Sequence, residues 1–507
     1  MHILLFCSLI ANAFSSKILL LPSDDSERIR SFAPLSDTLA VGGHEVLTLS
    51  SSKHAVLLGD LQMPHVLYKL PAKIQGGLDS IVPSPNFYQY LTFFERAFAK
   101  QNKICEEFLK SDMLENLKEK KFNYAIIDGR REAICLKNIA KSLNIRYSML
   151  HSDFSSVDLQ YSIIDGGFII ESLQRILLKF MYNSKLDSTD VADLHMINTD
   201  IVCSSKYYPL SPHIIHLNLM RKKTKGILRP EIGMFLKKWK KSIIVLYKRK
   251  PTKEQITSLF NIFRMMSFGI IVEYRGQINE KPDNVLISDY LPLHELFAHS
   301  QEIAVVLSVD SLYYHQMATA FGIPTIVVAQ NFETYSHINS YYKKSNIILL
   351  DDINLIEVEY AFSVLGSFKK AKKASKICSE RINAMPSPSR AALFWIDHAM
   401  EFGSRHLRKE FSHAGSVIFR LTFVDYFILL LSFSFLVLIT FICIKLTIRI
   451  VDLITNQSAQ PKAKAKPRAN NVHKQKELIL KEDKRRANGI NHNLATNVKR
   501  TKKKKFY

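Results

Sequence analysis

A short polar loop in the second half of the chain has the features of a phosphate site. Residues 303–307 are apolar and lead into the loop 308–312, which is followed by a helical stretch, the turn Gly322-Ile323-Pro324 and a second apolar run at 325–329. This order predicts a strand–helix–strand unit. Ligands of open α/β sheets collect at the carboxyl ends of the strands, where helix N-termini attract anions, so a phosphate-bearing ligand is expected at this loop. The alternative is an ordinary βαβ unit without a ligand.

Carboxyl groups stand at the corresponding place near the start of the chain. The apolar run 17–22 leads into the loop 23–28, which contains Glu27, and a later strand-like run ends at Asp128. A carboxylate can act as a general base, although its ordinary pKa of about 4.3 makes it a weak one unless burial raises that pKa. The alternatives are structural, with Glu27 favoured at a helix start by the macrodipole and Asp128 capping the next helix.

The frame of the second half resembles the donor-sugar signature of the UDP-glycosyltransferases. That signature runs W-L-P-Q, L-L-x-H, T-H-G-G, E-A-x-x-x-G-x-P and D-Q. This chain has, in the same order, Tyr290-Leu291-Pro292, Leu296, His299 and Gly322-Ile323-Pro324. The stretch 390–408 resembles the helix that closes family members, and the segment before Asp128 resembles that of nematode members.

The resemblance implies an α/β fold of the GT-B type, in which two Rossmann-like domains face each other across a cleft. Residues 16–220 would bind the acceptor, residues 221–410 would bind the UDP-sugar, and a transmembrane helix at 426–444 would follow. Members of the family transfer glucose or glucuronic acid from UDP to a small lipophilic acceptor, without a metal or other cofactor. Self-association into a homo-oligomer is left open.

Several donor positions of the family carry residues of different chemistry here. Counting back from Gly322, the phosphate-contacting histidine falls on Val309, the paired glycines on Asp310 and Ser311, and the glutamate on Met317. Counting forward, the D-Q pair falls on Glu333 and Thr334. The resemblance therefore predicts these donor-binding residues: Tyr290, Ser308, Val309, Asp310, Ser311, Glu333 and Thr334.

The acceptor side is changed as well. The family's catalytic base histidine aligns with Glu27, whereas the aspartate that orients this base aligns with Asp128 and is retained. The family's F-G-S loop, which lets backbone amides approach the diphosphate, is replaced by Tyr247-Lys248-Arg249-Lys250-Pro251. Bulky side chains prevent that close approach, so these cations either bind phosphate directly or form a solvated charge run.

Two functions follow from the resemblance. The first is a working inverting glycosyltransferase, and the second is a pseudoenzyme of the same fold that binds a partner or a lipophilic molecule in the lumen. The changed base position, the changed T-H-G-G and F-G-S loops, and the missing glutamate and D-Q pair together favour the second.

The positive charge of the chain is concentrated in one tail. The 507 residues carry a net charge of +23, and after Ile444 there are 18 Lys and Arg against 4 Asp and Glu. Because the tail adjoins a membrane segment, anionic lipid headgroups are its expected partner and nucleic acid is not. Low apolar content and high charge predict that residues 445–507 are disordered.

Two segments predict a membrane protein of the secretory pathway. Residues 1–15 contain a short apolar core and Ala11-Asn12-Ala13, as is typical of a signal peptide, with a buried first strand as the alternative. Residues 426–444 are uncharged and apolar, and about 20 such residues cross a bilayer as a helix. Lys445 and Arg449 follow, which predicts a cytosolic tail and a luminal globular part, as in a single-pass type I protein.

Four cysteines remain outside the leader and the membrane segment. They are widely spaced, which argues against a disulfide-rich scaffold and a metal site and allows one bridge in an oxidising lumen. These residues are Cys105, Cys135, Cys203 and Cys378.

The spacing of the last lysines predicts a retrieval signal for the endoplasmic reticulum. Lys504 and Lys505 stand fourth and third from the end of the sequence, the spacing of a dilysine signal. Replacing both lysines by Ser is expected to release the protein to later compartments, as scored by immunofluorescence. The matched control is Lys502→Ser with Lys503→Ser, which removes the same charge but leaves the spacing. Unchanged distribution of the Lys504/Lys505 variant would show that these lysines are only part of the basic run.

Overall fold

Two parallel β-sheets, each covered by helices, form the folded core of the chain. The computed structural model describes residues 15–70, 87–130, 135–152, 192–200, 212–221, 227–264, 266–276, 280–329, 347–350, 369–407 and 423–458, with a few single residues between these ranges. The predicted signal peptide, Glu333 and the terminal lysines lie outside the described residues.

The first sheet has seven parallel strands in the order β3-β2-β1-β4-β5-β6-β7. Its central strands are continuous apolar runs with almost no exposed surface, as expected when helices cover both faces. The strands are β1 (Lys17–Leu21), β2 (Glu45–Ser51), β3 (His65–Tyr68), β4 (Tyr124–Asp128), β5 (Arg146–His151), β6 (His195–Ile197) and β7 (Ile214–His216). The helices are α1 (Ser26–Val41), α2 (Ala55–Asp60), α3 (Phe87–Leu109), α4 (Asp112–Glu119) and α5 (Leu136–Ser142).

The second sheet has six parallel strands in the order β10-β9-β8-β11-β12-β13. The strands are β8 (Ser242–Tyr247), β9 (Gly269–Glu273), β10 (Val285–Ser288), β11 (Ile303–Val309), β12 (Thr325–Val328) and β13 (Ile347–Leu350). Its helices are α6 (Pro230–Lys238), α7 (Lys253–Phe263), α8 (Leu293–Phe297), α9 (Leu312–Ala320) and α10 (Lys369–Ala384). The two sheets confirm the predicted α/β architecture of two Rossmann-like halves.

Both sheets reverse their strand order at the same place. In the first, chain order reverses between β1 and β4, and in the second between β8 and β11. Loops diverge at such a switch point and open a crevice at the carboxyl ends of the strands. The loop after β1, Asp128 at the end of β4, Lys248 after β8 and Asp310 after β11 all lie at these two crevices.

The helix α11 (Pro388–Phe402) follows the second sheet in sequence but packs on the first. Ala392, Ile396 and Ala399 share a buried cluster with residues of α1 and β1. Nη1 of Arg146 donates to the carbonyl oxygen of Ala399 at 2.9 Å. The prediction that residues up to 410 belong to the second domain is therefore wrong for this helix, because its apolar face matches α1.

Helix and strand ends differ from the predicted ones for identifiable reasons. Helix α1 begins at Ser26, within the predicted loop 23–28, because the Asp25 carboxylate accepts the Glu27 backbone N–H at 2.9 Å and caps the helix. Strand β11 extends to Val309, so Ser308 and Val309 lie in the strand and not in the loop.

The C-terminal helix α12 (Phe423–Ser458) forms a separate unit of the structure. Residues Leu429–Asp452, with a mean hydropathy of 2.5, are long and apolar enough to cross a membrane. The helix extends beyond the predicted span of 426–444, so the predicted disorder of 445–507 is wrong for the first 14 residues. A helix propagates more easily than it nucleates, and Leu446, Ile448 and Ile450 continue its apolar character.

All four cysteines of the folded part are paired, where the sequence predicted at most one bridge. Cys105 is bonded to Cys135, and Cys203 is bonded to Cys378 on α10. The second bridge joins the segment between β6 and β7 of the first sheet to helix α10, which belongs to the second sheet. Spacing along the chain could not show this pairing, because 175 residues separate the two cysteines.

Removing the Cys203–Cys378 bridge is expected to destabilise the protein. Replacing both cysteines by Ser should lower the free energy of unfolding by about 2–4 kcal/mol, because the bridge closes a long loop in the unfolded chain. Thermal denaturation measures the effect, and Cys443→Ser, which removes a free cysteine, is the matched control. Equal melting temperatures of the double variant and the control would contradict the prediction.

Candidate functional site

The carboxylate of Asp128 is held by a closed set of partners. Its Oδ2 accepts a hydrogen bond from the Ser23 hydroxyl and lies 3.3 Å from Nε of Arg130 and 3.8 Å from Nε of Arg28. Its Oδ1 accepts the backbone N–H of Arg130 at 3.1 Å. Burial alone would raise the pKa of Asp128, but Arg28, Arg130 and Ser23 hold it below its ordinary value. Asp128 is therefore an ionised group whose oxygens are already bound.

Arg130 links Asp128 to the loop after β1. Its Nη1 donates to Oδ2 of Asp25 at 3.0 Å, and its Nη2 donates to the Ser23 hydroxyl. Burial opposes the charge on Asp25, yet Arg130, Lys248 and Arg28 lower its pKa. Arg130 thus fixes the loop 23–25 and the end of β4 as one unit.

Glu27 lies in the first turn of α1, and its pKa shifts in the opposite direction to that of Asp128. Its side chain is buried, and its Oε2 has no hydrogen-bond partner. Burial raises the pKa of Glu27, the charge of Lys248 opposes that rise, and Asp25 adds to it. The family's base position therefore holds a buried carboxyl group with a raised pKa in place of an imidazole. Glu27 and Asp128 lie at the same sheet edge, but among the described contacts no hydrogen bond joins them.

A further ion cluster at this edge escaped the sequence analysis. Asp24 lies 2.9 Å from Nζ of Lys53 and 3.2 Å from Nε2 of His54, and it accepts a hydrogen bond from the Ser51 hydroxyl. Burial would raise the pKa of Asp24, but His54 and Lys53 hold it below its ordinary value. The signal was present in the sequence, since Lys53 and His54 directly follow β2, as Asp24 follows β1.

The donor loop of the second sheet contains Asp310 in a glycine-like conformation. Its φ of 62° lies in the left-handed region that favours glycine, and the family signature has a glycine there. The backbone N–H of Asp310 donates to the Val328 carbonyl oxygen at 2.8 Å, and the Thr334 hydroxyl donates to the Asp310 carbonyl oxygen at 3.4 Å. The loop thus has a backbone conformation that favours glycine and carries a carboxyl side chain there.

The other predicted donor residues are part of the scaffold. Val309 packs in the core of the second sheet, and its carbonyl oxygen accepts the Lys248 N–H at 3.1 Å. Ser311 caps α9 by accepting the Tyr314 N–H at 3.1 Å, and the Ser308 hydroxyl donates to the Ser311 carbonyl oxygen at 2.8 Å. Met317, at the position of the family's glutamate, is fully buried.

The two sheet edges face each other through Lys248. This half-buried lysine follows β8, and its charge acts on Asp25 and Glu27 of the first sheet. The sequence left open whether Lys248 would bind phosphate or lie in solvent. In the structure its charge lowers the pKa of Asp25 and opposes the rise for Glu27, both in the opposite domain.

One group of metal-ligating residues is present in the described part of the chain. It consists of Asp200, Cys203 and Cys378. Both sulfurs are joined in the disulfide, and Asp200 accepts the backbone N–H of Val202 at 2.8 Å. This group is therefore a disulfide beside a capped turn, without a thiolate to offer a metal.

A curated glycosyltransferase is similar in sequence to part of this chain. UDP-glucosyltransferase 2 of Dactylopius coccus is 22% identical over 286 residues, which are 54% of this chain and 55% of that protein. The match thus spans about half the length of this relative. No protein-family model matches the chain.

Solved structures of glycosyltransferases share the fold. A glycosyltransferase of Streptomyces sp. SF2575, complexed with thymidine diphosphate, matches with a TM-score of 0.56 at 12% identity and covers 76% of this chain and 100% of its own. A spinosyn rhamnosyltransferase matches with a TM-score of 0.53 at 15% identity over 76% and 99%. The fold is therefore that of the GT-B glycosyltransferases. The predicted resemblance to the UDP-glycosyltransferase family is confirmed.

The pKa values of Glu27 and Asp128 shift in opposite directions, which predicts that replacing each carboxyl group by an amide has opposite effects on stability. Asp128→Asn should destabilise the protein by about 3 kcal/mol at neutral pH, because it leaves buried arginines without their carboxylate. Since the pKa of Asp128 is lowered on folding, this deficit shrinks only as pH falls below about 4. The pKa of Glu27 is raised, so the loss of stability that its ionisation causes grows as pH rises above about 4. Glu27→Gln should therefore be neutral or stabilising at pH 7.

Thermal denaturation of both variants from acidic to neutral pH measures these effects. Glu45→Gln, at an exposed glutamate paired with Lys17, is the control for loss of a surface carboxylate. A loss of stability for Glu27→Gln at neutral pH that equals the loss for Asp128→Asn would contradict the assignment.

Proposed function

We propose that the chain is a glycosyltransferase-fold protein whose cleft takes a UDP-sugar and a small lipophilic molecule, and in which glycosyl transfer is impaired. The curated relative named as a UDP-glucosyltransferase and the fold neighbour complexed with thymidine diphosphate support a nucleoside diphosphate sugar as the ligand class. The residues at the chain's own site decide how far transfer is retained.

The state of the acid–base pair carries this proposal. Inverting transfer needs a group that removes the proton of the acceptor hydroxyl, and a positioned base contributes roughly 10²- to 10⁴-fold to the rate. Glu27 is buried with a raised pKa, and the oxygens of Asp128 are bound by Ser23, Arg28 and Arg130. The site therefore has a buried carboxyl group in place of an imidazole at the base position and an aspartate whose oxygens are already bound.

The donor loop points in the same direction. Preorganised donors at the leaving diphosphate are usually the largest contribution to such catalysis. Here a buried Val309 stands in place of the phosphate-contacting histidine, and a buried Asp310 stands in place of the first of the paired glycines. Both changes weaken stabilisation of the leaving group.

Slow but genuine transfer is the second candidate function. It is favoured by the free Oε2 of Glu27, which lies near the charge of Lys248 in the crevice. Movement of Lys248 closer to Glu27 would lower the pKa of the carboxyl, favour its ionised form and let it serve as the base. In this case the donor would be glucose or glucuronic acid on UDP.

The proposed location is the endoplasmic reticulum membrane, with the globular part in the lumen. The candidate span Leu429–Asp452 and the predicted signal peptide and dilysine motif support this location. Two disulfides are consistent with an oxidising compartment. Anionic lipid headgroups are the proposed partner of the basic tail.

Restoring the family's residues in steps tests the proposal. Glu27→His supplies a base, and Val309→His with Asp310→Gly and Ser311→Gly restores the donor loop. The combined variant is expected to release UDP from UDP-glucose in the presence of a small hydrophobic phenol about 10²-fold faster than the unmodified full-length protein. Glu45→His, which adds a histidine at an exposed position, should have no effect.

Two outcomes would contradict the proposal. The first is rapid UDP release by the unmodified protein that Asp128→Asn abolishes while the protein stays folded. The second is a combined variant that binds UDP-glucose but gains no rate, since this would show that the changed positions do not limit transfer.

A further inference from the structure

Arg30 of α1 is buried among residues of the opposite domain. Its Nη2 forms an ion pair with Oε1 of Glu273 at the end of β9, and its Nη1 donates to the Leu291 carbonyl oxygen at 3.4 Å. Its guanidinium lies 5.1 Å from the centroid of the Tyr290 ring. One side chain of the first domain thus makes three contacts with the second.

The surroundings of Arg30 stabilise its charge. The Tyr313 hydroxyl donates to the Arg30 backbone carbonyl at 3.4 Å. Burial would lower the pKa of Arg30, but Glu273 and the neighbouring tyrosines raise it above its ordinary value. The charged side chain is only 6% exposed, so its contacts are poorly screened by solvent.

The aromatic ring beneath Arg30 is the ring at the predicted donor site. Tyr290 occupies the first position of the donor signature, and a second guanidinium, that of Arg229, lies 5.6 Å from its centroid. Flat aromatic rings in proteins bind either a nucleobase by stacking or a guanidinium by cation–π attraction. The two kinds of occupant compete for one surface.

We propose that Arg30 determines whether the cleft admits a nucleotide. Its guanidinium lies over the Tyr290 ring, on which the base of a nucleoside diphosphate would stack, and its ion pair with Glu273 joins the two domains. A nucleotide enters only when Arg30 withdraws from both partners. This inference rests on the proposed function in taking the cleft as a nucleotide site.

A second ion pair between the domains provides a matched comparison. Nη2 of Arg275 lies 3.4 Å from Oδ2 of Asp60 on α2. Their side chains are 38% and 23% exposed, against 6% and 21% for Arg30 and Glu273. Breaking the Arg275 pair removes a contact of the same type and leaves Tyr290 covered.

Titration calorimetry with UDP on the purified full-length protein in detergent tests the proposal. Arg30→Ala should bind UDP about tenfold more tightly than the unmodified protein, since a nucleotide no longer displaces a cation–π contact and an ion pair. Glu273→Gln, which keeps the size of the side chain and the fold of the cleft, should give a smaller gain. Arg275→Ala should leave the affinity unchanged.

Arg30→Lys is the check on packing, because it keeps the charge but loses the planar group over Tyr290. It should fall between the unmodified protein and Arg30→Ala. Equal or weaker binding of UDP by both Arg30→Ala and Glu273→Gln would overturn the inference, and so would failure of every variant to bind UDP. Rapid transfer by the unmodified protein would instead contradict the proposed function. The UDP affinities of the variants would still test the role of Arg30 separately.

Discussion

The cleft depends on how four buried carboxyl groups are neutralised at the carboxyl edge of the first sheet. An unpaired buried charge is costly, so each group must find a cation or keep its proton. Asp24 pairs with cations that follow β2, while Asp25 and Asp128 share Arg130. For Glu27 the charges of Lys248, Arg28 and Arg130 offset burial only in part, and its pKa is raised. The carboxyl groups at the sheet edge where proton transfer would occur are thereby neutralised by one another's cations.

This charge balance also involves the second domain. Lys248 contributes from the loop after β8, where the family has small residues, and its charge acts on Asp25 and Glu27. On the same face of α1, Arg30 reaches Glu273 and Tyr290. The charged residues of the acceptor-side loop and helix and those of the donor-side loops are therefore complementary in sign across the cleft. Each domain supplies a cation that acts on a buried or half-buried carboxyl group of the other domain.

Much of the fold was predictable from the sequence, because continuous apolar runs such as those of β1, β8 and β11 predict buried parallel strands. The positions of Glu27 and Asp128 at one sheet edge were also predictable, since parallel strands end on the same side. Arg130 was not identified, because its partner Asp25 lies 105 residues away and side-chain direction decides the contact. The packing of α11 on the first domain depends likewise on which apolar faces match, and chain order does not show this.

Infrared difference spectroscopy between the unmodified protein and its Glu27→Gln variant at neutral pH tests the central claim most directly. The account predicts that the substitution removes the carbonyl stretch of a protonated carboxylic acid, because burial raises the pKa of Glu27. The Asp128→Asn variant should instead lose a carboxylate stretch. Loss of a carboxylate stretch in the Glu27→Gln variant would contradict the account, since Glu27 would then be ionised and able to act as a base.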